Sequence, residues 1–236
     1  MADIAYIFYQ DQYIEWNVHL ERPTTDPQPI SVGFPGCPFP RIDAVLRINS
    51  VAYIFFEGQY CMYDLDRKAI FEGAPAGGAP IEQAFPGFPF PRVCALRYLG
   101  TMAHFLGEDK YWKWDVAENC FAAGNNPAGK PIRNPGGYSG YFGLGGEEAV
   151  DGFLQVDPVS YLFMGDKCAV GEDNISTMEW TLTPDTPAEG RPIKELFPAM
   201  PFPKVDAILN VPQKAVPNAT VVKVRAQAIH GYSSTC

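Results

Sequence analysis

At 236 residues and 47% hydrophobic side chains, the chain is long and apolar enough for one large all-β domain or two small ones with a packed core. A formal charge of −9, with 18 basic residues that do not cluster, excludes the basic face that phosphate recognition needs, so no nucleic-acid partner is expected. No apolar run approaches the roughly 20 residues of a membrane-spanning helix, and the 22 glycines and 23 prolines sit between apolar runs, punctuating many short elements.

The first element is the hairpin AYIFYQDQYIEWN from Ala5: an apolar strand, a tight turn and a strand carrying Tyr and Trp. It follows a start with no basic region, apolar core or cleavage site, so a chain without a signal peptide is expected, cytoplasmic or in an intracellular store. Next come a Pro29-Ile30 pair and the short strand IDAVLRI from Ile42. The order then repeats. A second hairpin, AYIFFEGQYCMYD from Ala52, turns at Glu57-Gly58 and precedes a fourth strand at Ala69–Glu72 and the pair Pro80-Ile81. The strand VCALRYL from Val93 leads to AHFLGEDKYWKWD from Ala103, with its turn at Gly107-Glu108-Asp109, a strand at Cys120–Ala123 and Pro131-Ile132. VDGFLQV from Val150 leads to SYLFMGDKCAVGED from Ser160, a strand at Met178–Thr183 and Pro192-Ile193. VDAILNV from Val205 has no hairpin after it, just as the Ala5 hairpin has no such strand before it. These two orphans complete each other.

Proline is at home in the first turn of a helix, so PIEQAFP and PIKELFP read as one- or two-turn helices ended by the next proline. Four strands and a short helix, recurring four times at roughly 50 to 57 residues, describe a four-bladed β-propeller. Pairing the Val205 strand with the Ala5 hairpin closes the ring and removes its open edges. The whole of 1–236 is one domain, with repeats at 205–211 plus 1–36, 37–87, 88–145 and 146–204, and a tail at 212–236. Thr220 to Ile229 in that tail alternates as one more strand.

The units resemble the hemopexin repeat: an apolar-Asp-Ala inner strand, then a Tyr-Phe-Phe and Tyr-Trp hairpin ending in Asp, then a Pro-Ile helix ending in Phe-Pro. Ile42-Asp43-Ala44 with Ala52 to Asp64, and Lys110 to Asp115, carry the likeness, which covers roughly residues 3 to 211. With no leader or attached protease domain in view, the chain is more similar to stand-alone seed albumins than to haem carriers or matrix metalloproteinases. It departs from the pattern at Cys94, at RNPGGYSGYFGLGG after Pro131-Ile132, and at Cys168 to Gly171, where aromatics are missing.

The resemblance implies a central channel lined by the inner strands, with a cation, Ca2+ or Na+, held by the backbone carbonyls of Asp43, Cys94, Asp151 and Asp206. A second ring would come from Ala5, Ala52, Ala103 and Ser160. Four symmetric carbonyls are hard oxygen donors suited to such ions. Simpler readings stand beside these: the aspartates cap strand starts by accepting from backbone amides, and the small residues only permit close packing. An acidic channel also suits a polyamine. Haem would need an axial imidazole from His19, His104 or His230, and His104, in the slot held by Tyr6, Tyr53 and Tyr161, reads first as a packing residue. Exposed Trp112 or Trp180 would serve a sugar-stacking lectin. Tyr13/Trp16, Tyr60/Tyr63 and Tyr111/Trp114 read as blade-to-blade packing.

No nucleophile, base and orienting group occur in a recognisable order, so a binding protein is expected, monomeric or homodimeric, with a lectin or a cofactor-free cyclase as alternatives. Gly124 to Lys130 imitates a phosphate loop, but Pro131 stands where Ser or Thr belongs, and Gly136 to Gly146 reads as an irregular linker or else a mobile rim over one channel mouth. The six cysteines, Cys37, Cys61, Cys94, Cys120, Cys168 and Cys236, contain no C-x-x-C pair and read as buried free thiols. The glycosylation matches at Asn174 and Asn218 carry no weight without a secretion signal.

Overall fold

The computed structural model describes residues 4–122, 128–132, 149–156, 158–174 and 179–210. The linker 136–146, the tail from 211 with its expected strand, His230 and most of the phosphate-loop imitation lie outside these residues. The first repeat forms β1 (Ile4–Tyr9), β2 (Gln12–Asn17), β3 (Arg22–Pro23), β4 (Gln28–Pro29) and helix α1 (Ile30–Gly33). The second forms β5 (Ala44–Ile48), β6 (Val51–Phe56), β7 (Gln59–Asp64), β8 (Ala69–Ile70) and β9 (Ala79–Pro80), then a 3₁₀ turn at Ile81–Gln83. The third forms β10 (Ala95–Leu99), β11 (Met102–Leu106), β12 (Lys110–Asp115), β13 (Cys120–Phe121) and β14 (Lys130–Pro131). The fourth forms β15 (Gly152–Val156), β16 (Val159–Met164), β17 (Lys167–Asn174), β18 (Glu179–Leu182), β19 (Arg191–Pro192) and helix α2 (Ile193–Leu196), and β20 (Ala207–Leu209) comes last.

These make four antiparallel sheets, each of four strands in sequence order with a fifth, two-residue strand sharing the outer edge of the third. The first sheet takes its inner strand from the far end of the chain. β20 pairs with β1 through Tyr6↔Leu209, Ile7↔Ile208 and Phe8↔Ala207. Inner strands β5, β10, β15 and β20 lie side by side in that order, and β20 lies beside β5, so the ring is closed. The four-bladed propeller and its closure are as the repeat implies.

The Pro-Ile pairs have a common cause. The proline ends the two-residue edge strand, and the isoleucine N–H donates to the last carbonyl of the hairpin loop of the same blade: Ile30 to Asp11 (2.9 Å), Ile81 to Gly58 (3.1 Å), Ile132 to Asp109 (2.8 Å) and Ile193 to Asp166 (2.9 Å). All four isoleucines are buried. One helical turn later the N–H of Phe34, Phe85 or Phe197 closes on the isoleucine carbonyl, which puts both side chains on one face. That phenylalanine is a wedge between blades. Phe85 meets Phe55, Phe105 and Trp114 at ring-centroid distances of 5.9, 4.8 and 5.4 Å, and Phe197 meets Trp16, Tyr161 and Phe163 in the same way. Burying each such ring is worth about 1.5–3 kcal/mol before packing geometry is considered.

The core is divided into four apolar clusters, one at each seam between blades. The aromatic pairs spaced three apart in the third strands serve two seams at once, because odd spacing puts them on opposite faces of a strand. Thus Tyr13 packs into the first-to-second seam and Trp16 into the fourth-to-first. Tyr60, Tyr63, Tyr111 and Trp114 are buried in the same alternating manner, as expected.

Asn17, Asp64 and Asp115 end the third strands of three blades, and each Oδ1 accepts from the amides two and three residues on. Glu172 holds that position in the fourth blade. With a longer side chain there, β17 runs on to Asn174 and pairs with a four-residue outer strand where the other blades have two residues.

Candidate functional site

The four inner strands begin at one mouth of the ring. Two residues before each start, Ile42, Val93, Val150 or Val205 is buried in a seam and fixes the entry. The next residue donates its N–H to the second strand: Asp43 to Phe55 (2.9 Å), Cys94 to Leu106, Asp151 to Phe163 and Asp206 to Phe8 (2.8 Å each). The structure therefore brings the four expected positions together. Burial raises the Cys94 thiol above its ordinary value, Arg92 opposes this, and Glu108, Asp43 and Asp151 add to it. Cys94 thus feels the carboxylates of both neighbouring blades.

The three carboxylates have a structural task. Oδ2 of Asp43 accepts from Glu57 N–H (2.9 Å), that of Asp206 from Gln10 N–H (2.6 Å) and that of Asp151 from Gly165 N–H (2.6 Å). Each amide belongs to the first residue of the hairpin turn, which has positive φ: 45° at Glu57, 54° at Gln10 and 57° at Gly165. A left-handed backbone costs a non-glycine residue about 1–2 kcal/mol, and the aspartate offsets it. The capping expected at strand starts is found instead at the hairpin turns. Cys94 has no such acceptor, and its blade carries a different, three-residue turn that closes on itself through Gly107 N–H to Lys110 O (2.8 Å). The departure at Cys94 and the departure in its turn go together.

Cations also stand at this mouth. Arg41 Nη2 lies 3.4 Å from Asp206 Oδ2, and Arg92 Nη2 lies 3.1 Å from Glu108 Oε1. Burial nonetheless raises the Asp43 carboxyl, against the Glu57 amide, Arg92 and Arg41, with Glu57 adding to the rise. Among the described residues no three His, Cys, Asp or Glu side chains are grouped to hold a metal.

At the second expected ring, Ala5, Ala52, Ala103 and Ser160 are all 0% exposed. Ala5 faces Trp16, Ala52 faces Tyr63 and Ala103 faces Trp114 across the hairpin, which accounts for their small size. The fourth blade reaches the same packing by another route. Ser160 faces Gly171, and Trp180 of β18 fills the space above that glycine, donating Nε1–H to Ser160 Oγ at 2.9 Å. Gly171 leaves room for a ring supplied from the next strand.

The exposure expected of the ligand-stacking tryptophans is corrected by the structure: Trp112 is 0% and Trp180 4% exposed, because both face seams. His104 is likewise 0% exposed. Its Nδ1 lies 3.3 Å from Arg97 Nη1, and Arg97 in turn binds Asp173. Burial, then Arg97 and Lys113, hold the imidazole well below its ordinary value, so it is a neutral partner inside the protein. Sequence reasoning missed Arg97 and Asp173; the signal was a charge at two positions that are aliphatic in the other units. Cys37, Cys61, Cys94 and Cys168 are free thiols as expected, with Cys61 and Cys168 buried and Cys37 and Cys94 half-buried, whereas Cys120 is disulfide-bonded, which corrects the reading there.

No family model and no curated protein sequence matches the chain. Solved structures do. The hemopexin-fold protein CP4 from cow pea superposes with a TM-score of 0.64 at 20% identity, covering 84% of this chain and 92% of that one. The fold is the hemopexin fold. A plant lectin with two metal-binding sites from Cicer arietinum has it too, with a TM-score of 0.63 at 19% identity over 84% and 92% of the two chains. So does a plant albumin from Cicer arietinum showing hemagglutination, at 0.62 and 17% over the same shares. Identities this low carry the hemopexin fold and no function.

Proposed function

We propose that the protein is a non-enzymatic binding protein whose ligand is a hard cation, Ca2+ or Na+, taken at the channel mouth by the main-chain carbonyls of Asp43, Cys94, Asp151 and Asp206. The observation that carries the reading is the convergence of four equivalent strand entries at one mouth, three of them aspartates, with Asp43 and Asp151 both acting on Cys94 between them. A cation there would offset the charge of those carboxylates. A lectin of the same fold is described as having two metal-binding sites, which supports the reading by analogy.

The same mouth offers a polyamine the counter-charges of Asp43, Asp151 and Asp206; Arg41 and Arg92 oppose either cation, and the metal is preferred by analogy with the metal-binding lectin of the same fold. Haem finds no axial ligand in His104, whose ring is buried against Arg97. A carbohydrate ligand is supported by the hemagglutinating albumin of the same fold, without Trp112 or Trp180 as stacking surfaces. Native mass spectrometry of the full chain with calcium, sodium, spermine and haemin separates these readings. One calcium or sodium per chain, weakened by Asp43→Asn, is expected; a protein that takes up neither metal overturns the cation reading.

A further inference from the structure

The bases at the entry mouth occupy one repeat position. Two residues before the entries Asp43, Cys94, Asp151 and Asp206 stand Arg41, Arg92, Ala149 and Lys204, in the second, third, fourth and first blades. Arg41 reaches back into the blade before its own. Its Nη2 lies 3.4 Å from Oδ2 of Asp206, the entry to β20, which runs beside β5. The same carboxylate oxygen accepts from the Gln10 amide at 2.6 Å, so the hairpin turn holds Asp206 in place whether or not Arg41 stays on it.

One step around the ring thus joins a base to the entry of the preceding blade. By repeat position the same step sets Arg92 against Asp43, Lys204 against Asp151 and Ala149 against Cys94. Of the two arginines that act on the Asp43 carboxyl, Arg92 has the larger effect, as this step requires. Ala149 is the one position of the four without a base, and Cys94 is the one entry without an acid. They are the two halves of a single step. Acid and base at this mouth are present together or missing together, which ties the bases to the carboxylates and not to solubility.

We infer that Arg41, Arg92 and Lys204 are built-in counter-ions of the entry mouth, which a cation must displace from the carboxylates in order to bind. The ion itself rests on the cation reading above; the displacement rests on the contact between Arg41 and Asp206. Carboxylates gathered at one mouth repel one another, and a base from the next blade offsets each. A pair as exposed as this one contributes little to the fold. Its effect on an ion is direct, because the base holds a carboxylate that would otherwise face the ion and adds a like charge beside it. The step from Cys94 to Ala149 has neither charge, so it is the place where the pair can be added and its effect read.

The test is a cycle of the full-length parent, Cys94→Asp, Ala149→Arg and the double variant, with Arg41→Gln beside it. Urea unfolding in EDTA reads the pairing without metal. The double variant should lose less stability than the two single changes together, by a factor of about two to five in the unfolding constant; additive changes overturn the pairing. Calcium titration by calorimetry reads the competition. Arg41→Gln should bind calcium about two- to fivefold more tightly than the parent, Cys94→Asp should also bind more tightly, and Ala149→Arg should cancel that second gain. Calcium affinity that is unchanged or weaker in Arg41→Gln overturns the competition. Should neither the parent nor Arg41→Gln take up calcium, the cation reading falls and the competition with it, while the urea cycle still judges the pairing. The Arg41 side chain is 54% exposed, so Arg41→Gln is expected to fold and decides the competition even where an entry variant does not.

Discussion

Arg97 and Asp173 occupy, across the third-to-fourth seam, the places that Leu46 and Val116 occupy across the second-to-third. Leu154 with Val18, and Leu209 with Leu65, are the corresponding pairs at the remaining seams. Three seams thus join aliphatic to aliphatic, and one joins guanidinium to carboxylate at 2.6 Å, with side chains 0% and 8% exposed and Gln155 Nε2 3.4 Å from the second carboxylate oxygen.

A buried ion pair is worth little over an apolar pair, yet removing one partner strands the other charge. Arg97→Leu or Asp173→Val alone should each cost about 3–5 kcal/mol of unfolding free energy in urea. The double variant, which restores the pattern of the other seams, should recover most of that loss or exceed the parent. Additive losses in the double variant would show that the pair is not the unit of stability here.

Acidification should weaken the fold through His104. Its folded value lies well below 6.5, so between these two values the unfolded chain binds a proton that the folded chain does not. This ring's contribution is whole above about pH 6.5 and is lost as pH falls, at no more than about 1.4 kcal/mol per pH unit for one proton. Denaturation midpoints from pH 7 to 5 should show the fall. His104→Gln keeps an acceptor for Arg97 without a titrating ring, so its midpoint should vary less over that range even if its stability is lower throughout.

Gly171 and Trp180 should behave as one unit. A Cβ at Gly171 would overlap the Trp180 indole, so Gly171→Ala is expected to cost about 1–3 kcal/mol by overpacking. Trp180→Ala should cost about 3–5 kcal/mol from the emptied space and the lost bond to Ser160. With the indole gone the added methyl has room, and the double variant should be no worse than Trp180→Ala. Thermal unfolding of the four proteins in the cycle measures the coupling.

At the channel mouth, Asp43→Asn and Asp43→Ala should separate structure from binding. Asparagine can still accept from the Glu57 amide, so the turn survives; alanine cannot, and loses about 1 kcal/mol or more. Because burial raises the Asp43 carboxyl above 3.8, the folded chain holds its proton more tightly, and this group's contribution falls as pH rises through the ordinary value toward the raised one. Asp43→Asn should therefore be at least as stable as the parent at neutral pH without metal, and, keeping the main-chain carbonyl but not the charge, should gain less stabilisation from added calcium than the parent does. Equal stabilisation of both proteins by calcium would show that the Asp43 carboxylate takes no part in holding the ion.

Much of the fold was legible because its units are physical copies. The orphan strand at Val205 and the orphan hairpin at Ala5 announced the closure, and the Pro-Ile pairs announced the turns that carry Phe34, Phe85 and Phe197. What was not legible lay in differences between copies. Trp180 read as exposed because its strand was seen alone, whereas Gly171, nine residues earlier, had vacated the place it fills. His104 read as an isolated substitution, although Arg97 and Asp173 change with it. A charge in a strand pattern looks like a solvated edge until the facing blade is known.

The ring closure also has a mechanical side. β20 and β1 are antiparallel, with Leu209 opposite Tyr6 and Ala207 opposite Phe8. A pull applied before Ile4 and after Leu209 therefore loads these pairs one after another, as in opening a zip, and never shears them together. Among the described residues every blade is joined to the next by continuous chain, and the ring is held shut by the β20–β1 ladder, so under tension it parts there and the contact between Phe197 and Trp16 is among those opened.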